Sequence, residues 1–140
     1  MSNDRAIVIT ESDMDKLDKL LDASMRTRVP DRDHLNVLRA ELDRAHVVQG
    51  VVAAPNVVVM NAWVSITDHD TGLTHEYQVV FPRDADLSRN KISVLAPIGT
   101  ALLGYRTGSE IEWRVPGGMR RFRIERVRKR ARSRMALHAA

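Results

Sequence analysis

Side chains able to do chemistry fall in three places. The first is "RTRVPDRD", residues 26–33, where Asp31 and Asp33 are the carboxylates and Arg26, Arg28 and Arg32 surround them. Paired carboxylates can complete the oxygen shell of a divalent ion that activates water. Three guanidinium groups repel such an ion, and each aspartate is equally suited to cap a helix. The second place is "DHDTGLTH", where His69 lies between Asp68 and Asp70 and His75 follows. A hairpin-end metal site can be drawn from these residues, but nothing supplies a closed ligand set, and hydrated turn residues are the expectation. The third is the basic end, with Arg128, Lys129, Arg130, Arg132 and Arg134. It can neutralise the phosphates of a nucleic acid, and the same pattern also fits the solvated end of a last strand.

Other chemistry is excluded by what is missing. There is no cysteine, so disulfides, thiolate catalysis and thiolate metal sites are out. No Gly-rich phosphate loop and no nucleophile-and-base signature occurs. His34 and His46 flank a helical segment and read as surface residues. No run of eighteen apolar residues exists, and the first residues lack the pattern of a signal peptide, so the expectation is a soluble, cytoplasmic protein without membrane attachment. The net charge of +4 is unevenly spread: nine of the 22 basic side chains but one of the 18 acids lie from Arg120 onward, leaving residues 1–119 at −4.

These residues must be positioned by the elements around them. Across residues 10–25, Met14, Leu17, Leu21 and Ser24 recur at helical spacing, and Leu20 widens the stripe. Thr10 or Ser12 can cap that helix, and Glu11, Asp13 and Asp15 suit its first turn. Pro30 stops it from running on. A second helix over residues 33–47 carries Leu35, Leu38, Leu42 and Ala45, so the two form a short antiparallel hairpin over residues 1–50. It is too brief to be stable alone, and one end of it must pack on the rest of the chain.

After Gly50 the period changes. Residues 57–67 and 73–81 read as paired strands joined by the turn 68–72, followed by a polar loop and a strand in "KISVL". Pro97 then starts a two-turn helix with Ile98, Ala101 and Leu102 on its apolar face, and Gly104 ends it in a left-handed conformation. Strands in "EIEWRV" and residues 121–127, joined at 116–118, complete a second domain, residues 51–128. The fold expected is α+β, a helical hairpin on an antiparallel sheet with one short helix, followed by a basic tail, 129–140. Helix-starter chemistry leaves one thing unaccounted for: why Ala96, Pro97 and Gly99 gather where sheet meets helix.

The run "KISVLAPIGTALLGYRTGSEIEWRVPGGMRRFRIERV", residues 91–127, resembles the C-terminal domain of the bacterial Gre transcript-cleavage factors, with its "ISxxSPIGRALLGKxxGDxVxxxxPGG" pattern. Upstream, "VSITDHDTG" and "DADLSRNKIS" resemble that domain's first hairpin and its acidic loop. The short hairpin, "LRAELDRAHVV" and "VVVMNAWV" resemble the regulator of nucleoside diphosphate kinase family, Rnk, a branch of the same superfamily.

The resemblance implies an FKBP-like C-terminal domain that grips a coiled coil of the RNA polymerase β′ subunit at the rim of the secondary channel. Carried over by position, the contact residues are Asp84 and Asp86 in the loop and Ala96, Pro97 and Ile98 in the motif; Ala96 replaces the serine usual in Gre factors. Those factors help hold a catalytic magnesium with acids at the tip of a coiled coil about twice as long. Here the tip falls roughly 20 Å short. The implied protein is a polymerase-binding regulator with no enzymatic activity and no cofactor, able to compete with Gre factors without stimulating RNA cleavage. The alternative is a nucleic-acid-binding module using the basic tail. Prolyl isomerase activity, suggested by the fold, lacks aromatics for a pocket: six exist, and Trp63, Trp113, Tyr77 and Phe122 are expected in the sheet core.

Overall fold

A computed structural model describes residues 7–26, 33–50, 55–115 and 117–128. The hairpin is α1, Glu11–Arg26, and α2, Asp33–Asp43. Thr10 caps α1, its Oγ1 accepting from the Asp13 N–H at 3.2 Å. The two apolar stripes meet as their spacing requires: Leu17, Leu21, Leu35, Leu38 and Leu42 are all buried, with Met14, Leu20 and Ala45 partly buried beside them. Arg39 of α2 closes the seam against Asp18 and Asp22 of α1, at 2.9 and 3.1 Å.

The second helix is shorter than its sequence suggests. It stops at Asp43, and His46–Val48 forms strand β2, parallel to β1, Val8–Thr10. The β-branched pair Val47 and Val48 favours the extended chain, and β1 offers an edge on which to pair. This small sheet ties the chain entering the hairpin to the chain leaving it.

The main sheet has order β5-β4-β3-β7-β6, from β3 (Trp63–Asp68), β4 (Thr74–Val80), β5 (Lys91–Ser93), β6 (Glu110–Val115) and β7 (Gly118–Arg128). β3 alternates half-buried and buried residues along its length, so Val64 and Ile66 face the core. Two expectations need correction. The first strand begins at Trp63 rather than at residue 57, because Asn56 and Asn61 adopt left-handed backbones and break the extended run. The sheet is also not wholly antiparallel: β5 pairs with β4 in parallel, Val79 opposite Ile92.

Hairpin and sheet share one core, in which Leu17, Leu21, Leu38 and Leu42 join Val64, Ile66, Ile92, Ile111 and Ile124. Truncating a leucine there to alanine costs about 2–5 kcal/mol. Polar contacts fix the same junction: the Asp13 carboxylate accepts from the Met60 N–H at 3.1 Å, and the Tyr105 hydroxyl donates to Glu41 at 2.9 Å. Helix α3, Pro97–Leu102, begins at proline, and Gly104 follows it at φ +86°. Gly104 sits at a crossing: its N–H donates to Val58 O, its carbonyl accepts from Val8 N–H, and a Cβ there would lie 2.5 Å from that of Ile7. The glycine that ends the helix also admits the N-terminal strand to the core.

Candidate functional site

The motif "SVLAPIG" is built around a tight turn after β5. The Ser93 hydroxyl accepts from the Leu95 N–H at 3.0 Å, and the Ser93 carbonyl accepts from the Ala96 N–H at 3.0 Å. Ala96 is the N-cap of α3, extended at φ −73°, ψ 152°, with no side chain to hold the first turn. The Thr100 hydroxyl donates back to the Pro97 carbonyl at 2.9 Å, a bond within the helix that leaves the first-turn N–H groups uncapped by any side chain. Gly99 is required by contact, since a Cβ would stand 2.2 Å from the Ser93 carbonyl oxygen. This accounts for the small residues: the helix closes directly on the strand's backbone. Pro97 is left exposed, and Ile98 is half-buried against the core.

The parallel pairing of β4 and β5 decides what stands beside this motif. Pro82–Asp84, a 3-10 turn, follows the end of β4, and Ala96 to Ile98 follow the end of β5. Parallel strands finish at the same end of the sheet, so the segments carrying Asp84 and the motif both leave from that end. Asp84 is exposed, and no partner for its carboxylate occurs among the described residues. Asp86 differs. It pairs with Lys91 at the start of β5, about 7–10 Å back along the strand. Its Oδ1 accepts from the Ser88 N–H at 3.1 Å and the Ser88 hydroxyl at 2.6 Å, capping the 3-10 turn Leu87–Arg89. The Ser88 hydrogen bonds hold the Asp86 carboxyl below its usual range, with Arg89 and Lys91 adding to the effect.

At the hairpin tip, Arg26 ends α1 and Asp33 begins α2, while Arg28, Asp31 and Arg32 lie outside the described residues. Of the basic end, Arg128 is the last residue of β7; its guanidinium lies 3.3 Å from Glu76 Oε2 and 5.7 Å from the centre of the Trp63 ring. Lys129, Arg130, Arg132 and Arg134 lie outside the described residues.

The histidine turn leaves His69, Asp70 and His75 exposed, as hydrated turn residues are, but buries Asp68. One Asp68 carboxylate oxygen accepts from the Asp70 N–H at 2.7 Å and the other meets the Arg120 guanidinium. Arg120 holds the Asp68 carboxyl well below its usual range. His69 Nε2 lies 2.7 Å from Glu110 Oε1, and Arg123 approaches the other oxygen of Glu110 at 3.3 Å. Among the described residues, no three histidine or acidic side chains gather as a metal ion needs. The buried part of this turn was hidden from sequence, because a turn aspartate looks the same whether it faces water or an arginine fifty residues on.

No helix among the described residues is long and apolar enough to cross a membrane. Residues 53–129 match the family model of the transcription elongation factor GreA/GreB C-terminal domain, and residues 5–48 that of the Rnk N-terminus. The chain is 36% identical over 113 residues to the regulator of nucleoside diphosphate kinase of Escherichia coli K12, covering 81% of each. It is 37% identical over 90 residues to transcription elongation factor GreA of Syntrophus aciditrophicus, 64% of this chain and 56% of that one. Among solved structures it is similar to a transcription elongation factor GreA/GreB from Nitrosomonas europaea, at 41% identity and a TM-score of 0.72 over 89% of this chain and 98% of that chain. With both halves matched in order, the chain belongs to the family of the regulator of nucleoside diphosphate kinase, a Gre-type C-terminal domain carried on a short hairpin.

Proposed function

We propose that the protein is a transcription regulator that docks on RNA polymerase at the rim of the secondary channel, through the end of the sheet that carries Asp84 and Ala96 to Ile98. The β′ coiled coil is its partner there. The observation that supports this reading is a shared end of the sheet: the segments after the parallel strands β4 and β5 carry an exposed carboxylate with no partner among the described residues and an exposed proline. Pro97 and Ile98 supply the apolar contact, and Asp84 supplies a charge for a basic residue of the partner. Asp86 acts indirectly, by shaping the loop that presents Asp84.

The protein regulates without catalysing. Helices of 16 and 11 residues reach about 24 and 16 Å, and at their junction in the sequence arginines flank the two aspartates. A tip of that length and charge does not deliver carboxylates to a metal ion deep in a channel. The consequence is competition: the protein occupies the position of a Gre factor and withholds the cleavage function.

The test adds the protein to core polymerase carrying GreA and follows displacement and RNA cleavage together. Displacement with falling cleavage is expected, and Pro97→Asp should weaken binding at least tenfold. If Pro97→Asp binds polymerase as well as the parent chain, the docking reading fails; if cleavage rises as GreA leaves, the non-catalytic reading fails.

A further inference from the structure

We infer that the root of the hairpin is part of the docking surface: an open groove between α1 and the turn Pro82–Asp84 receives an acidic segment of the polymerase that carries an apolar side chain. This rests on the docking reading above. The groove has a volume of about 660 Å³, enough for a few side chains. Leu20, Phe81 and Pro82 give it an apolar lining, and Lys16 and Lys19, one turn apart on α1, line it together with Arg83.

Arg39, Arg120, Arg121, Arg123 and Arg128 each meet a carboxylate within 4 Å. Lys16, Lys19 and Arg83 have no such partner among the described residues, although Asp18 and Asp22 share α1 with the two lysines. Those acids turn to Arg39 instead. Arg44, Lys91, Arg106 and Arg126 also lack a carboxylate within 4 Å among the described residues, and what sets the groove apart is that three such cations line it together. Among the residues that line the groove, three cations stand against one acid, Asp84, with Asp15 nearby on α1, and the fields of the three cations add over an apolar lining. Asp84 borders this groove, and its segment leaves from the end of the sheet that carries Pro97, so a partner seated on one continues onto the other. An acidic segment with an apolar residue fits both properties: carboxylates reach the three cations while the apolar side chain covers Leu20 and Phe81, whose faces the flexible lysine stems otherwise shield.

The experiment measures binding of the full chain to purified core RNA polymerase at low and high salt, for the parent, the double variant Lys16→Glu with Lys19→Glu, Arg83→Glu, and Pro97→Asp. Both lysines and Arg83 are exposed, so thermal midpoints should match the parent's. The double variant and Arg83→Glu should each lose roughly tenfold in affinity at low salt, and the loss should shrink at 0.5 M salt as screening removes the field. If Pro97→Asp weakens binding while the lysine and Arg83 variants bind like the parent, the groove is no part of the interface and the docking reading survives. If all bind like the parent, both fall. A gain in affinity on charge reversal means a basic partner segment and overturns the inference. So does binding of inorganic pyrophosphate that the lysine variant abolishes while polymerase binding is untouched, because the groove then serves a small phosphate.

Discussion

Both ends of the sheet carry charged residues and use them in opposite ways. At the end formed by the turn 68–72 and the start of β7, Asp68 pairs with Arg120, His69 and Arg123 with Glu110, and Arg121 with Glu112. At the end formed by Pro82–Asp84 and the start of α3, Asp84 and Arg83 have no partner among the described residues, and Pro97 is exposed. The first end satisfies itself and holds turns together. The second leaves charge and apolar surface together in the open, a combination that folding does not require and a partner can use. Charge content therefore misleads as a guide to function here, and pairing is the better guide.

The strongest way to break this comparison is to exchange the two kinds of aspartate. Asp68→Ala strands the Arg120 guanidinium and uncaps the turn, and calorimetry should show the thermal midpoint falling by roughly 10 °C with polymerase binding at permissive temperature intact. Asp84→Ala should do the reverse, leaving the midpoint unchanged and weakening polymerase binding about tenfold. A stability loss in the second, or a binding loss in the first, would end the division between the two sites.

A smaller effect sharpens the docking edge. Ala96→Ser places at the N-cap the hydroxyl found in the Gre pattern, and the extended backbone of Ala96 already suits it to accept from the first-turn N–H groups. Denaturant unfolding should show a gain of about 1 kcal/mol. If polymerase binding tightens as well, the missing hydroxyl accounts for a weaker grip than that of Gre factors; unchanged binding would leave the contact to Pro97 and Ile98.

The smallest expected change lies at the hairpin root. Burial holds the Glu41 carboxyl above its ordinary value of 4.5, against the hydrogen bond from Tyr105 and the attraction of Arg44. The folded chain therefore binds that proton more tightly than the unfolded chain, and this group's contribution to stability falls as pH rises from 4.5 through the raised value. Glu41→Gln keeps an acceptor for Tyr105 and removes the charge. Its midpoint should exceed the parent's by a few degrees at pH 7, with the difference vanishing below pH 4.5. No difference at neutral pH would mean that the junction is better solvated than its packing implies.

Much of the local structure was legible in the residues themselves. The apolar stripes of α1 and α2, the cap at Thr10, the proline that opens α3 and the left-handed Gly104 all follow from interactions within a turn or two of chain. The motif proposed for docking was legible as a pattern, and the segments carrying Asp84, Pro97 and Ile98 leave from one end of the sheet. Asp86 was legible only as an acid in a loop, since nothing in its spacing reveals that its carboxylate is taken up by Ser88.

The sequence by itself thus determined which segments coil, where they start and stop, and which family of surfaces the motif belongs to, because those depend on periodicity and on backbone preferences of single residues. Tertiary structure alone decided the rest. It ended α2 early by offering Val47 and Val48 a strand to pair with, set β5 parallel to β4 so that two loops leave from one end of the sheet, and used Gly99 and Gly104 for close contact with Ser93 and Ile7. It also decided which charges are paired and which stay free. Apart from the contact of Gly99 with Ser93, six residues before it, each of these depends on a partner outside the local segment, and no local pattern encodes the distance between two segments before the core brings them together.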